Sequence, residues 1–167
     1  MNLYILRHGI AVERGEAGFK TDADRPLLPK GRRQLRQIAS AMQNMGLDFD
    51  LVLSSPFLRA RQTAEIVAPS FKAKKRLAFS DELTPDGDPK VLIRQLNDLA
   101  PAPENVLLVG HEPYLSRLVG LLISGGETAG LELKKGGLCK LEAEALRSGR
   151  CAMLTWLLTP KQMKLMS

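Results

Sequence analysis

Three short apolar runs constrain this chain more than any other feature. Each ends abruptly in polar residues, and each is followed by a segment long enough for a helix. Residues 3–6 stop at Arg7-His8-Gly9, residues 51–53 at Ser54-Ser55-Pro56, and "NVLLVG" at His111. Continuous apolar runs of this length, bounded by turn residues, predict strands buried on both faces, as in a parallel sheet. The two histidines of the chain stand at the ends of the first and third runs.

The intervening segments carry helical periodicity. Pro29 precedes a helix whose stripe is Leu35, Ile38, Ala39, Met42 and Met45, and Gly46 stands where a C′ glycine belongs. After the second run, Ser54 or Ser55 is placed to cap a helix with Pro56 in its first turn. Its apolar side is Leu58, Ala64 and Val67, and Pro69 ends it. Asp88-Pro89 opens a third helix with Leu92, Leu96 and Leu99 facing inward, and "EPYLSRLVGLLISGG" predicts a fourth. Residues 76–79 read as a short strand, and 138–143 with 151–157 as a strand pair around "RSGR". Alternating strands and helices predict a three-layer α/β sandwich, a mostly parallel central sheet flanked by helices, in one domain spanning 1–167.

Composition narrows the function classes. Hydrophobic content of 44% and charged content of 25% are those of a soluble globular protein. No membrane span is expected, because no run of 18 apolar residues occurs. The N-terminus lacks the signature of a secretory signal, so the expected compartment is cytoplasmic. There Cys139 and Cys151 are expected as free thiols, although the sequence leaves their pairing open. A Cys-x5-Arg phosphatase loop is excluded, since Ala145 and Leu157 stand six residues beyond the two cysteines. The net charge of +6 favours anionic partners, but 5% aromatic residues make a nucleic-acid stacking surface hard to build. No metal or other cofactor is expected. The Asp-x-Asp pairs at 22/24, 48/50 and 86/88 read as turn or cap residues, and no Gly-x4-Gly-Lys loop is present.

If the three strands are parallel neighbours, their polar ends gather at one edge of the sheet, where α/β proteins bind ligands. Arg7 and Arg59 then offer planar forks suited to phosphate oxygens, with Arg25 of "DADRPL" as a third candidate. Ser54 stands at the same edge. Gly9 would let the backbone approach a phosphoryl group closely. A neutral histidine is a competent nucleophile towards phosphorus, and cationic neighbours would keep His8 neutral. His111 and the arginines would stabilise charge on the transferring phosphoryl group.

The ordered set "LYILRHG", "DADRPLLPKGRRQL", "VLSSPFLRARQTAE", "DELTPDGDP" and "VLLVGHEPYLSRLV" resembles the histidine phosphatase superfamily of phosphoglycerate mutase-like proteins. Within it the chain is most similar to SixA-type phosphohistidine phosphatases. The resemblance runs nearly end to end. It implies His8 as the nucleophile, Arg7, Arg59 and His111 completing the phosphate site, and Arg25 assisting. It also implies a phosphorylated protein partner, a histidine phosphotransfer domain of a signalling relay.

One departure stands out: where many relatives carry an acidic Leu-x-Glu, this chain has "LTP", with Pro85 in the acid's place. Glu82 and Asp86 are the nearby carboxyls. A missing acid handicaps an alkyl phosphate more than a phosphoramidate, whose imidazole can leave already protonated. Only about 25 residues separate the 76–79 strand from residue 105, which leaves little for a lid. The alternatives are a small-molecule phosphomonoesterase or mutase on the same scaffold, and a non-catalytic phosphate-binding module.

Overall fold

The computed structural model describes residues 1–16 and 18–167. Strands β1 (Asn2–Arg7), β2 (Leu51–Ser54), β3 (Leu77–Phe79), β4 (Asn105–Gly110), β5 (Leu138–Ala143) and β6 (Ala152–Leu158) form one sheet in the order β3-β2-β4-β1-β5-β6. β1, β2, β3 and β4 are mutually parallel, while β5 runs antiparallel to both β1 and β6. The expected mostly parallel sheet is therefore present, with an antiparallel pair on one side.

Side-chain alternation explains the layers. Leu3, Ile5, Val106 and Leu108 point to one face, and Tyr4, Leu6, Leu107 and Val109 to the other. The second set packs against α1 (Pro29–Asn44), α2 (Leu58–Val67) and Met163 of α5 (Pro160–Lys164). The first packs against α3 (Pro89–Asn97) and α4 (Tyr114–Ser124). Each such leucine or isoleucine, removed from water, contributes about 1.5–3 kcal/mol. α1 buries Leu35, Ile38, Ala39 and Met42 and is followed by Gly46 at φ 70°, in the left-handed region a glycine adopts without strain. α5, which follows β6, carries no periodicity long enough to be seen in the sequence. It is fixed by its Thr159–Gln162 capping box and by Met163.

Several helix details differ from expectation. α2 begins at Leu58, so Pro56 lies before its first turn, and neither serine caps it. Instead the Ser55 hydroxyl accepts from the Phe57 N–H just ahead of the helix. Leu58 is half-buried, and the inward face of α2 carries Ala60, Ala64 and Val67 together with the polar Arg59 and Thr63. Pro69 lies within a 3-10 turn, Ala68–Phe71, that continues the helix. Leu99 falls beyond α3 and is 39% exposed, and Ile93 takes the inward position. Cys139 faces Leu157 in register, whereas Cys151 lies beyond the far end of β6, so both are free thiols.

Candidate active site

Register brings the strand ends together. Arg7 pairs with Gly110 and Ser54 with Val109, which sets His8, Ser55 and His111 side by side one residue further on. Backbone bonds hold that row: His8 N–H donates to the Gly110 carbonyl (3.1 Å) and Ser55 N–H to the Val109 carbonyl (2.9 Å). The two imidazole centroids are 5.1 Å apart, and both rings are buried.

Each imidazole is oriented by a partner on one nitrogen. His8 Nδ1 lies 2.8 Å from the Gly9 carbonyl, which can only accept, so the proton sits on Nδ1 and Nε2 keeps its lone pair. That lone pair faces the Nε–H of Arg59 at 3.3 Å. His111 Nε2 is 2.8 Å from Ser55 Oγ, and its Nδ1 is buried without a partner. Burial, with the Arg59 and Arg7 charges added, holds the His8 pKa at about 3 against the contrary pull of the Gly9 carbonyl. Burial and then Arg59 lower His111 to about 2. Both rings are neutral at pH 7.

Arg7 Nη1 donates to the Leu133 carbonyl (2.7 Å), while its buried Nε has no partner. The 132–137 segment that receives Arg7 is itself anchored. Glu112 Oε1 accepts from Leu133 N–H (2.9 Å), and Gly136 N–H donates to the carbonyls of Arg7 and His8. Two buried nitrogens, Arg7 Nε and His111 Nδ1, are thus left without a partner, and a ligand that hydrogen-bonds them would relieve that cost.

Arg59, only 3% exposed, is clamped by Asp22. Its Nη1 donates to the Asp22 backbone carbonyl (2.7 Å) and its Nη2 to Oδ2 (2.9 Å). Arg25 does not touch either imidazole: its Nη2 and Nε reach Asp22 Oδ1 (2.8 and 3.0 Å) and its Nη1 the Val12 carbonyl. Arg14 Nε adds a further contact to Oδ1 at 3.2 Å. Burial would raise the Asp22 pKa, but Arg59, Arg14 and Arg25 together hold it at about 2. The sequence places Asp22 in a turn, and its i,i+3 spacing to Arg25 is the local signal of this pairing.

Ser54 serves differently from expectation. The Ser54 hydroxyl turns onto the Ser55 carbonyl (3.0 Å), and it is Ser55 that meets His111. A Cβ at Gly9 would lie 2.7 Å from Leu35 Cδ1, so a larger residue there would displace the Leu35 side chain. The Gly9 N–H donates to Thr63 Oγ1 (3.1 Å), whose own hydroxyl donates to the Arg59 carbonyl (2.7 Å). Of the two candidate acids, Glu82 accepts from the Asp88 N–H (2.8 Å) and Asp86 is exposed.

The family model of the histidine phosphatase superfamily (branch 1) matches residues 3–83. An uncharacterized protein of Picosynechococcus sp. is 38% identical over 148 residues, 88% of each chain. Phosphohistidine phosphatase SixA of Escherichia coli is 32% identical over 126 residues, 75% of this chain and 76% of that one. The protein histidine phosphatase SixA, solved in complex with tungstate, superposes with a TM-score of 0.83 at 28% identity, covering 96% of this chain and 98% of its own. Fold, motif order and relatives agree: this chain belongs to the histidine phosphatase superfamily.

Proposed function

We propose that the chain is a phosphohistidine phosphatase in which His8 is the covalent nucleophile. The observation that carries this reading is the His8 ring, locked through Nδ1 with its unprotonated Nε2 facing Arg59, its centroid 5.1 Å from that of His111. In the first step Nε2 attacks phosphorus in line, the new N–P bond forming as the bond to the substrate's imidazole nitrogen breaks. Arg59 Nε, Arg7 Nε and His111 Nδ1–H bind the equatorial oxygens, where charge spreads in the transition state. Water then attacks the phosphorylated His8, releasing inorganic phosphate and restoring the imidazole.

The leaving group argues for an N-phosphorylated substrate. The carboxyl bound to Arg59 is Asp22, which is ionised and bonded to three guanidiniums, so it has no proton to donate. An imidazole that arrives protonated needs none, whereas an alkoxide does. The substrate in this reading is a phosphorylated histidine on a partner protein, a histidine phosphotransfer domain. The similarity to SixA, a protein histidine phosphatase, supports the same class.

The deciding assay compares kcat/KM on a phosphohistidine protein, a phosphoserine peptide and an aryl phosphate. A marked preference for the first is expected, and equal rates would instead favour a general phosphomonoesterase. His8→Ala is expected to abolish turnover of all three, with no phosphoenzyme trapped after acid-free quenching.

A further inference from the structure

We propose that Asp22 is a specificity-determining residue. Its carboxylate occupies, from within the chain, the place that the carboxylate of an acidic phosphate ester would take, and so turns such esters away. This deepens the phosphatase reading above and rests on it.

The geometry is that of a carboxylate subsite already filled. Asp22 Oδ1 accepts from Arg25 and Arg14, and Oδ2 from Arg59. Three guanidiniums around one carboxylate are more positive charge than its own pairing needs, and Arg59 is almost wholly buried. Arg59 connects this subsite to the nucleophile. Its Nη edge holds Asp22, while its Nε–H faces His8 Nε2 at 3.3 Å. The two edges belong to one planar fork. A phosphoryl group on His8 would take the Nε–H, and a carboxylate a few bonds away in the same small molecule would fall at the Nη edge.

That edge is closed to it. Asp22, with its pKa at about 2, is ionised throughout the working range, and a second carboxylate there would meet like charge. The Asp22 side chain is 28% exposed, so the subsite opens to solvent and a substrate could reach it. A phosphorylated imidazole carries no carboxylate at that span and is unaffected. The same bonds make Asp22 a positioning residue for Arg59. For that reason the decisive quantity is a ratio between substrates.

The test measures kcat and KM separately for wild type, Asp22→Ala and Asp22→Asn on 3-phosphoglycerate, O-phosphoserine and p-nitrophenyl phosphate. The expected result for Asp22→Ala is at least a tenfold rise in the kcat/KM ratio of 3-phosphoglycerate over p-nitrophenyl phosphate, expressed mainly in KM. Asp22→Asn, which removes the charge but still fills the space, should give a smaller rise. Acetate should compete with 3-phosphoglycerate in Asp22→Ala and have no effect on wild type. An unchanged ratio in both variants, or a wild type that hydrolyses 3-phosphoglycerate as readily as the aryl phosphate, would overturn the proposal. Should Asp22→Ala fail to fold, the ratio in Asp22→Asn decides alone. Wild-type turnover of a phosphohistidine protein is measured in parallel. Its absence would refute the phosphohistidine reading and leave the ratio to judge Asp22.

Discussion

His111 Nε2 and Ser55 Oγ lie 2.8 Å apart, joining the end of β4 to the end of β2. With the serine hydroxyl donating to Nε2, the proton of the neutral imidazole is placed on Nδ1, the buried atom without a partner. In the proposed mechanism Ser55 thereby sets which nitrogen of His111 donates to the phosphoryl group.

Ser55→Ala removes that control. The expected loss is about 1 kcal/mol, one hydrogen bond, or roughly fivefold in kcat with little change in KM. Steady-state kinetics on an aryl phosphate measures it. Ser55→Thr, which keeps the hydroxyl, should restore most of the rate, and an alanine variant as active as wild type would show that the tautomer is set elsewhere.

Both histidines should stay neutral across physiological pH. With only two in the chain, their ring proton signals in an NMR titration are assigned by one substitution, and neither should shift between pH 5 and 8. A midpoint near 6.5 for either ring would contradict the burial described above.

The same neutrality predicts the pH dependence of stability. Unfolded histidines bind a proton near pH 6.5, whereas the folded rings do so only at about 3 and about 2. The unfolded state therefore binds more protons below pH 6.5, so stability is full above that value and falls as pH drops from it towards 3. The limiting slope is about 1.4 kcal/mol per pH unit for each histidine. Urea denaturation between pH 7 and 4.5 tests it, and His8→Ala should flatten the curve.

For Arg59→Ala the expected cost in kcat/KM is about 2–4 kcal/mol, the scale of a preorganised donor. Arg59→Lys should recover little, because an ammonium cannot hold Asp22 and face His8 together. Since guanidiniums supply the positive charge in the proposed mechanism, a chelator should leave the rate unchanged. Inhibition reversed by added metal would overturn that assignment.

Gly31→Ala tests how the fold supports the site. A Cβ there would press on the backbone carbonyl of Ile10, which follows directly on Arg7-His8-Gly9. Overpacking of this kind costs about 1–3 kcal/mol. The variant should melt at a lower temperature and lose activity through the displaced loop.

The element pattern was open to sequence reading because each signal is local. Apolar runs with abrupt polar ends mark β1, β2 and β4, and Pro29 with Gly46 brackets α1. The histidine and arginine motifs could be placed at strand ends for the same reason. Short-range competition blurred the rest. The start of α2 moved past Pro56, with Ser55 Oγ committed to the Phe57 N–H and to His111.

What residue order alone determined was the alternation of strands and helices, and with it the edge of the sheet where Arg7, His8, Arg59 and His111 would stand. Only the tertiary structure decided that Ser55 rather than Ser54 meets His111, that the 132–137 segment receives Arg7, and that Asp22 gathers three arginines. Periodicity and capping act between neighbours in sequence. The Ser55–His111, Arg7–Leu133 and Asp22–Arg59 bonds join residues 37 or more apart in the chain, and which oxygen faces which donor follows from strand register and loop path.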